Sequence, residues 1–129
     1  MSGRLARWTP ALLWAAAVFW LSSQPRLIEL PYVLSWDKLQ HCVAYAVGGA
    51  ALAHAAGARG RGPWPWPAVA LGVLYGASDE LHQWFVPGRS SDLRDLLADT
   101  LGVLAGVLLY RTFLSWRDGR VAAAGAVRP

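Results

Sequence analysis

The feature that most limits the folds open to this chain is the spacing of its charges. Uncharged runs extend from Trp8 to Pro25, from Leu39 to Ala58 and from Gly62 to Ser78, with a shorter one from Thr100 to Tyr110. The first three come close to the roughly 20 apolar residues a helix needs to cross a bilayer. The fourth reaches that length if it begins near Leu93 and takes Asp95 and Asp99 inside it. Composition agrees, because 55% of the 129 residues are hydrophobic and the mean hydropathy of +0.30 is high for a soluble domain of this size. The spacing therefore predicts an all-α fold, a polytopic membrane protein built as a four-transmembrane-helix bundle in one domain over residues 1–116. Helices are expected near 8–23, 38–58, 65–84 and 93–114, and the Ala/Gly-rich tail 117–129 is expected to be disordered.

Several function classes drop out. Cys42 is the lone cysteine, so no internal disulfide can form, and no CxxC or Cys/His spacing suggests zinc. No metal and no cofactor is expected. A net charge of +4 could point to nucleic acid, but the arginines are scattered between apolar runs and form no single basic face. The start of the chain, with Arg4, Arg7 and Ala15-Ala16-Ala17, has features of a cleaved signal peptide. An uncleaved first helix is favoured, because three further spans follow and Trp8 and Trp20 bracket the segment as interfacial anchors.

With four spans, Arg4, Arg7, Arg59, Arg61, Arg111, Arg117, Arg120 and Arg128 fall on one side, and Arg26, Lys38, Arg89 and Arg94 on the other. The positive-inside rule makes the first side cytoplasmic and places both termini there. Seven of the eight carboxylates divide the opposite way, Asp118 being the exception.

Three polar clusters converge on that opposite side. Asp37, His41 and Tyr45 recur at i, i+4 and i+8 on one helix face, beside Lys38. Read blandly, Asp37 caps the helix and Lys38 snorkels. In the third run Gly72, Gly76, Glu80 and Gln83 share a face, next to Asp79 and His82, and the glycines allow a neighbouring helix to press against the acids. The turn Val86-Pro87-Gly88 then delivers Arg89 as a counter-ion. Beyond it Asp92, Asp95 and Asp99 recur at i, i+3 and i+7, and Gly102 and Gly106 continue their face. Such acids are expensive in a bilayer, at about 2.5–3.5 kcal/mol each near its centre, so they form either a structural ion network or a functional site.

These residues resemble a family. Leu21-Ser22-Ser23-Gln24-Pro25, Asp37-Lys38 with His41 and Tyr45, the run from Gly76 through Asp79, Glu80, Gln83, Phe85 and Pro87 to Arg89, and Asp92 through Asp99 to Gly102 and Gly106 are similar to the VanZ-like pattern from about Trp14 to Leu109. Asp99 departs from it, since asparagine is more usual there. The resemblance implies a multi-pass protein of the bacterial cytoplasmic membrane, with a link to resistance against glycopeptides such as teicoplanin.

Three mechanisms follow. In the first, a non-enzymatic envelope factor binds a lipid headgroup, cell-wall precursor or glycopeptide through Lys38 and Arg89. In the second, an intramembrane hydrolase or transferase uses Glu80 or Asp79 as general base and His41 or His82 as proton partner, with Arg89 stabilising negative charge. In the third, the acids relay protons in a carrier, which four helices would support only as a homo-oligomer. A metal variant with His41, His82, Asp79 and Glu80 has no HExxH or comparable spacing behind it. Membrane lipids are expected partners in every case.

Overall fold

The computed structural model describes residues 2–25 and 34–126, with the backbone alone at 2, 4, 34–36, 125 and 126. Arg26, Glu29 and Arg128 lie outside the described residues. Four α-helices form, α1 Ser2–Ser22, α2 Leu34–Ala55, α3 Trp66–Gln83 and α4 Leu93–Ala126, and the described residues contain no strand. The all-α class with four helices agrees with the spacing of the charges. Through residue 126 the tail does not: α4 continues unbroken from the apolar run to Ala126, where disorder is expected from composition. Alanine is the strongest helix former and dominates the last turns, so the helix has no reason to stop at Trp116.

Several helix ends have a local cause. After α2, Gly57 takes φ 71°, with its N–H on the His54 carbonyl at 3.0 Å and the Ala58 N–H on the Ala53 carbonyl at 2.9 Å. This is a Schellman cap, which needs a left-handed residue. Pro65 and Pro67 sit at the start of α3, where their missing N–H groups go unused. Val86-Pro87-Gly88-Arg89 closes with the Arg89 N–H on the Val86 carbonyl at 3.1 Å and Gly88 at φ 75°, a type II turn. Asp92 then caps α4, its Oδ1 accepting the Arg94 N–H at 2.9 Å.

Packing is organised around α2, which touches all three other helices and meets α4 most extensively, whereas α1 and α4 do not meet among the described residues. The glycines explain the α2–α4 seam. A Cβ on Gly102 would run into the Cys42 carbonyl oxygen, one on Gly106 into that of Ala46, and one on Gly49 into that of Val103. Two backbones are in contact there, as small residues permit. Around the seam Trp14, Tyr45, Leu52, Val69, Val103 and Val107 form the core. The Trp14 indole donates to the Ala44 carbonyl at 2.9 Å, and the Tyr75 hydroxyl to that of Ala15 at 2.6 Å, which ties α1 to α2 and α3.

The distribution of polarity is unusual. Asp79, Glu80, Gln83, Asp95 and Asp99 are buried, while Leu13, Trp20, Val47, Leu74, Leu101 and Leu109 are among many large apolar side chains left exposed. Among the described residues one helix, Leu93–Ala124, is long and apolar enough to cross a membrane by length and composition.

Candidate functional site

The site forms at the end of the bundle where α1 and α3 finish and α2 and α4 begin. Along α2, the i, i+4 spacing carries Asp37, His41 and Tyr45 inward, and Tyr45 is 1% exposed. Opposite them, the Asp95 and Asp99 side of α4 faces the same space. His41 Nδ1 and Asp99 Oδ1 lie 3.0 Å apart, and Asp99 is fully buried. Above this pair, Lys38 Nζ meets Asp92 Oδ2 at 3.1 Å, Asp37 Oδ2 at 3.8 Å and the Asp95 carboxylate. Lys38 thus latches the first turn of α2 to that of α4. The Asp92 carboxyl is held below the usual carboxylate range by the Arg94 backbone N–H and then by the Lys38 ammonium.

The α3 residues take different partners. Gln83 Nε2 donates to Asp79 Oδ2 at 3.1 Å, and Glu80 Oε2 accepts the Asp92 N–H at 2.8 Å. Gly76 makes room for the α4 acid, since a Cβ there would come 3.2 Å from Asp99 Oδ2 and 3.3 Å from the Tyr45 ring. Arg89 reaches back to α1, donating to the Leu21 carbonyl at 2.9 Å and the Gln24 carbonyl at 3.3 Å, and to Gln83 Oε1 at 3.4 Å. His82 is separate from this group: its Nε2 pairs with Ser23 Oγ at 3.0 Å and its ring stacks on Phe19 with centroids 4.8 Å apart.

Between α1, α2 and α3 these side chains leave a cavity of about 420 Å³, of the size that small ligands occupy. Asp37, Gln40, His41, Tyr45, Asp79, Gln83 and Arg89 supply its polar wall, with Ser22, and Val18, Leu21 and Ala44 its apolar wall. Glu80 and Lys38 stand outside the lining, on the α4 side. Three buried atoms of this region, Tyr45 OH, Glu80 Oε1 and Asp99 Oδ2, have no hydrogen-bond partner among the described residues. Buried polar atoms are nearly always paired, so these three mark where water, a proton or a ligand would be accommodated.

Among the described residues, two groups of side chains have the donor atoms and the proximity to hold a cation. His41, Glu80 and Asp99 each offer a ligand atom within 4.8 Å of the others, as do Asp37, His41 and Asp95. Neither is the set His41, His82, Asp79 and Glu80, because His82 turns to α1 and Asp79 to Gln83.

Charge and helical spacing give α1 no part in the site, although Ser22 is buried and lines the cavity. The available signal is the uncharged Leu21-Ser22-Ser23-Gln24-Pro25 segment, whose hydroxyls and backbone carbonyls carry no charge pattern. The comparisons with known proteins bear on the same residues. The family model described as VanZ/LLP1 matches residues 8–114, which take in α2 and α3 whole, most of α1 and α4, and every site residue named above. The chain belongs to the VanZ/LLP1 family. No curated protein and no solved structure matches this VanZ/LLP1 chain. The arrangement of His41 against Asp99, Lys38 among three acids and Arg89 across to α1 accordingly rests on its own geometry.

Proposed function

We propose that this VanZ/LLP1 chain is a multi-pass protein of the bacterial cytoplasmic membrane whose outward-facing cavity binds the anionic headgroup of a lipid-linked molecule, such as a cell-wall precursor. The observation that carries this reading is the cavity itself, with a polar wall, an apolar wall mostly on α1 and the buried Tyr45 hydroxyl still open to a partner. A purely structural ion network would satisfy its own members and close. Helices of 21, 22 and 18 residues for α1, α2 and α3 measure about 27–33 Å at 1.5 Å per residue, close to the hydrocarbon thickness. The exposed apolar side chains and buried acids suit lipid outside and polar chemistry within.

Arg89 is the anion-recognising group in this account, its guanidinium fork fixed by the Leu21 carbonyl of α1 and the Gln24 carbonyl just beyond that helix. A link to teicoplanin susceptibility would then arise from capture of the precursor or of the antibiotic near the outer leaflet. The test is binding of a lipid-linked diphosphate to the full chain in nanodiscs. Arg89→Lys keeps the charge but loses the planar fork, so affinity should fall about tenfold. Unchanged affinity for both Arg89→Lys and Arg89→Ala would remove Arg89 from the reading.

One observation favours an enzymatic version. His41 lines the cavity while its Nδ1 faces a buried carboxylate, the arrangement that orients an imidazole as a base. Glu80, off the cavity wall and bound to the Asp92 N–H, is worse placed for that role. In this version His41→Ala abolishes headgroup turnover while binding persists; turnover that survives it refutes the assignment.

A further inference from the structure

At the opposite end of the bundle lies a larger cavity, about 760 Å³, between α1, α2, the α2–α3 loop and α4. Arg7, Arg59, Arg61 and Arg117 line it together with His54, and among the described residues Asp118 is the one carboxylate on its wall. Four cations and one anion leave that wall at +3 with His54 neutral.

The wall is fixed by contacts that a bare count of arginines does not require. Arg111 donates to the carbonyls of Gly60 at 3.2 Å, Gly62 at 2.6 Å and Pro63 at 2.5 Å, and lies 5.2 Å over the Trp64 ring. Arg111 thereby holds the loop that carries Arg59 and Arg61. Gly60 is pressed against Ser115 of α4 with no room for a Cβ. Arg7 crosses Gly57 and donates to the His54 carbonyl at 3.4 Å, and His54 Nδ1 meets the Tyr110 hydroxyl at 2.8 Å. The extension of α4 past Tyr110 contributes Leu114, Ser115, Arg117 and Ala122 to the lining. Topology signals need positive charge near a span; they do not need a cleft with a braced loop and a helical back wall.

We propose that this basic cavity is a second site, which binds phosphoryl groups through the guanidiniums of Arg59 and Arg61 with Arg7 beside them. Guanidinium forks match phosphate oxygens, and basic pockets at the ends of membrane helices take anionic headgroups. The ligand is either the phosphodiester headgroup of an anionic lipid or a soluble diphosphate. The lipid source rests on the membrane reading above, whereas the soluble source does not.

The test uses the full chain in neutral detergent, with cardiolipin adducts followed by native mass spectrometry and inorganic pyrophosphate binding followed by calorimetry. Arg59→Gln combined with Arg61→Gln should weaken whichever probe binds by at least about tenfold. Arg120→Gln, whose guanidinium lies 4.9 Å over Trp116 away from the cavity, should change it by less than about twofold. Retention of cardiolipin alone identifies a lipid headgroup, and retention of pyrophosphate alone a soluble anion; each supports the site. Binding of neither probe overturns it, as does an equal loss in Arg120→Gln, which would mean unspecific charge. The double variant changes exposed side chains, and an unaltered melting temperature checks that it folds. Arg89→Lys reports on the other end of the bundle, so failure at one site is separable from failure at the other.

Discussion

Asp99 shows what a single residue is asked to do in this bundle. It is fully buried, one oxygen faces His41 at 3.0 Å, and the other lies against Gly76 without a partner among the described residues. Replacing it by alanine strands the imidazole and should lower stability by about 1–3 kcal/mol, the usual cost of an unsatisfied buried group. Asparagine, close to aspartate in shape, can still face His41 and should lower stability less; thermal unfolding in detergent compares the two. Helical spacing makes part of this legible. Asp37, His41 and Tyr45 do share a wall, and Gly76 does make space for a neighbouring acid, because side chains four residues apart stack on one face. The same rule shows why His82 is misplaced by proximity in sequence: two residues beyond Glu80 it points about 200° around the helix, toward α1. The approach of His41 to Asp99 is not legible, since it depends on how α2 and α4 cross.

Among the elements, the α2–α4 seam and the start of α4 carry the clearest consequences. A Cβ on Gly106 meets the Ala46 carbonyl, a backbone atom that cannot swing aside, so Gly106→Ala should destabilise by about 1–3 kcal/mol. Gly119 has nothing within 4 Å of the place a methyl group would take, and Gly119→Ala should be neutral or mildly stabilising. A comparison of their unfolding midpoints tests the seam directly. At the head of α4, Asp92 caps the helix and pairs with Lys38. Its carboxyl is held below the usual range, so the stability it adds is complete above the ordinary carboxylate pKa and disappears as pH falls through the lowered value. Wild type should therefore lose on acidification an increment that Asp92→Ala lacks already at neutral pH, and the two melting curves should converge at low pH. Helix positions themselves are largely legible from charge spacing. The extension of α4 is not, because small residues in a terminal segment suggest disorder by composition while alanine favours helix by propensity, and propensity wins here.

At the scale of the whole molecule, polarity is sorted twice. Acids and amides gather inside one end, arginines gather at the other, and large apolar side chains cover the outside. Charge counting anticipates the two ends but not the cavities, which arise from where α1 stops and how Arg111 holds the α2–α3 loop. The central claim, that the acidic end opens outward from a membrane-spanning bundle, can be tested by cysteine labelling. Cys42→Ser removes the lone thiol, and Gln40→Cys or Ser115→Cys then places one in either cavity. Treatment of intact spheroplasts with an impermeant maleimide should modify Gln40→Cys at once and Ser115→Cys only after permeabilisation. Labelling of Ser115→Cys in intact spheroplasts, with Gln40→Cys protected until lysis, would contradict the account.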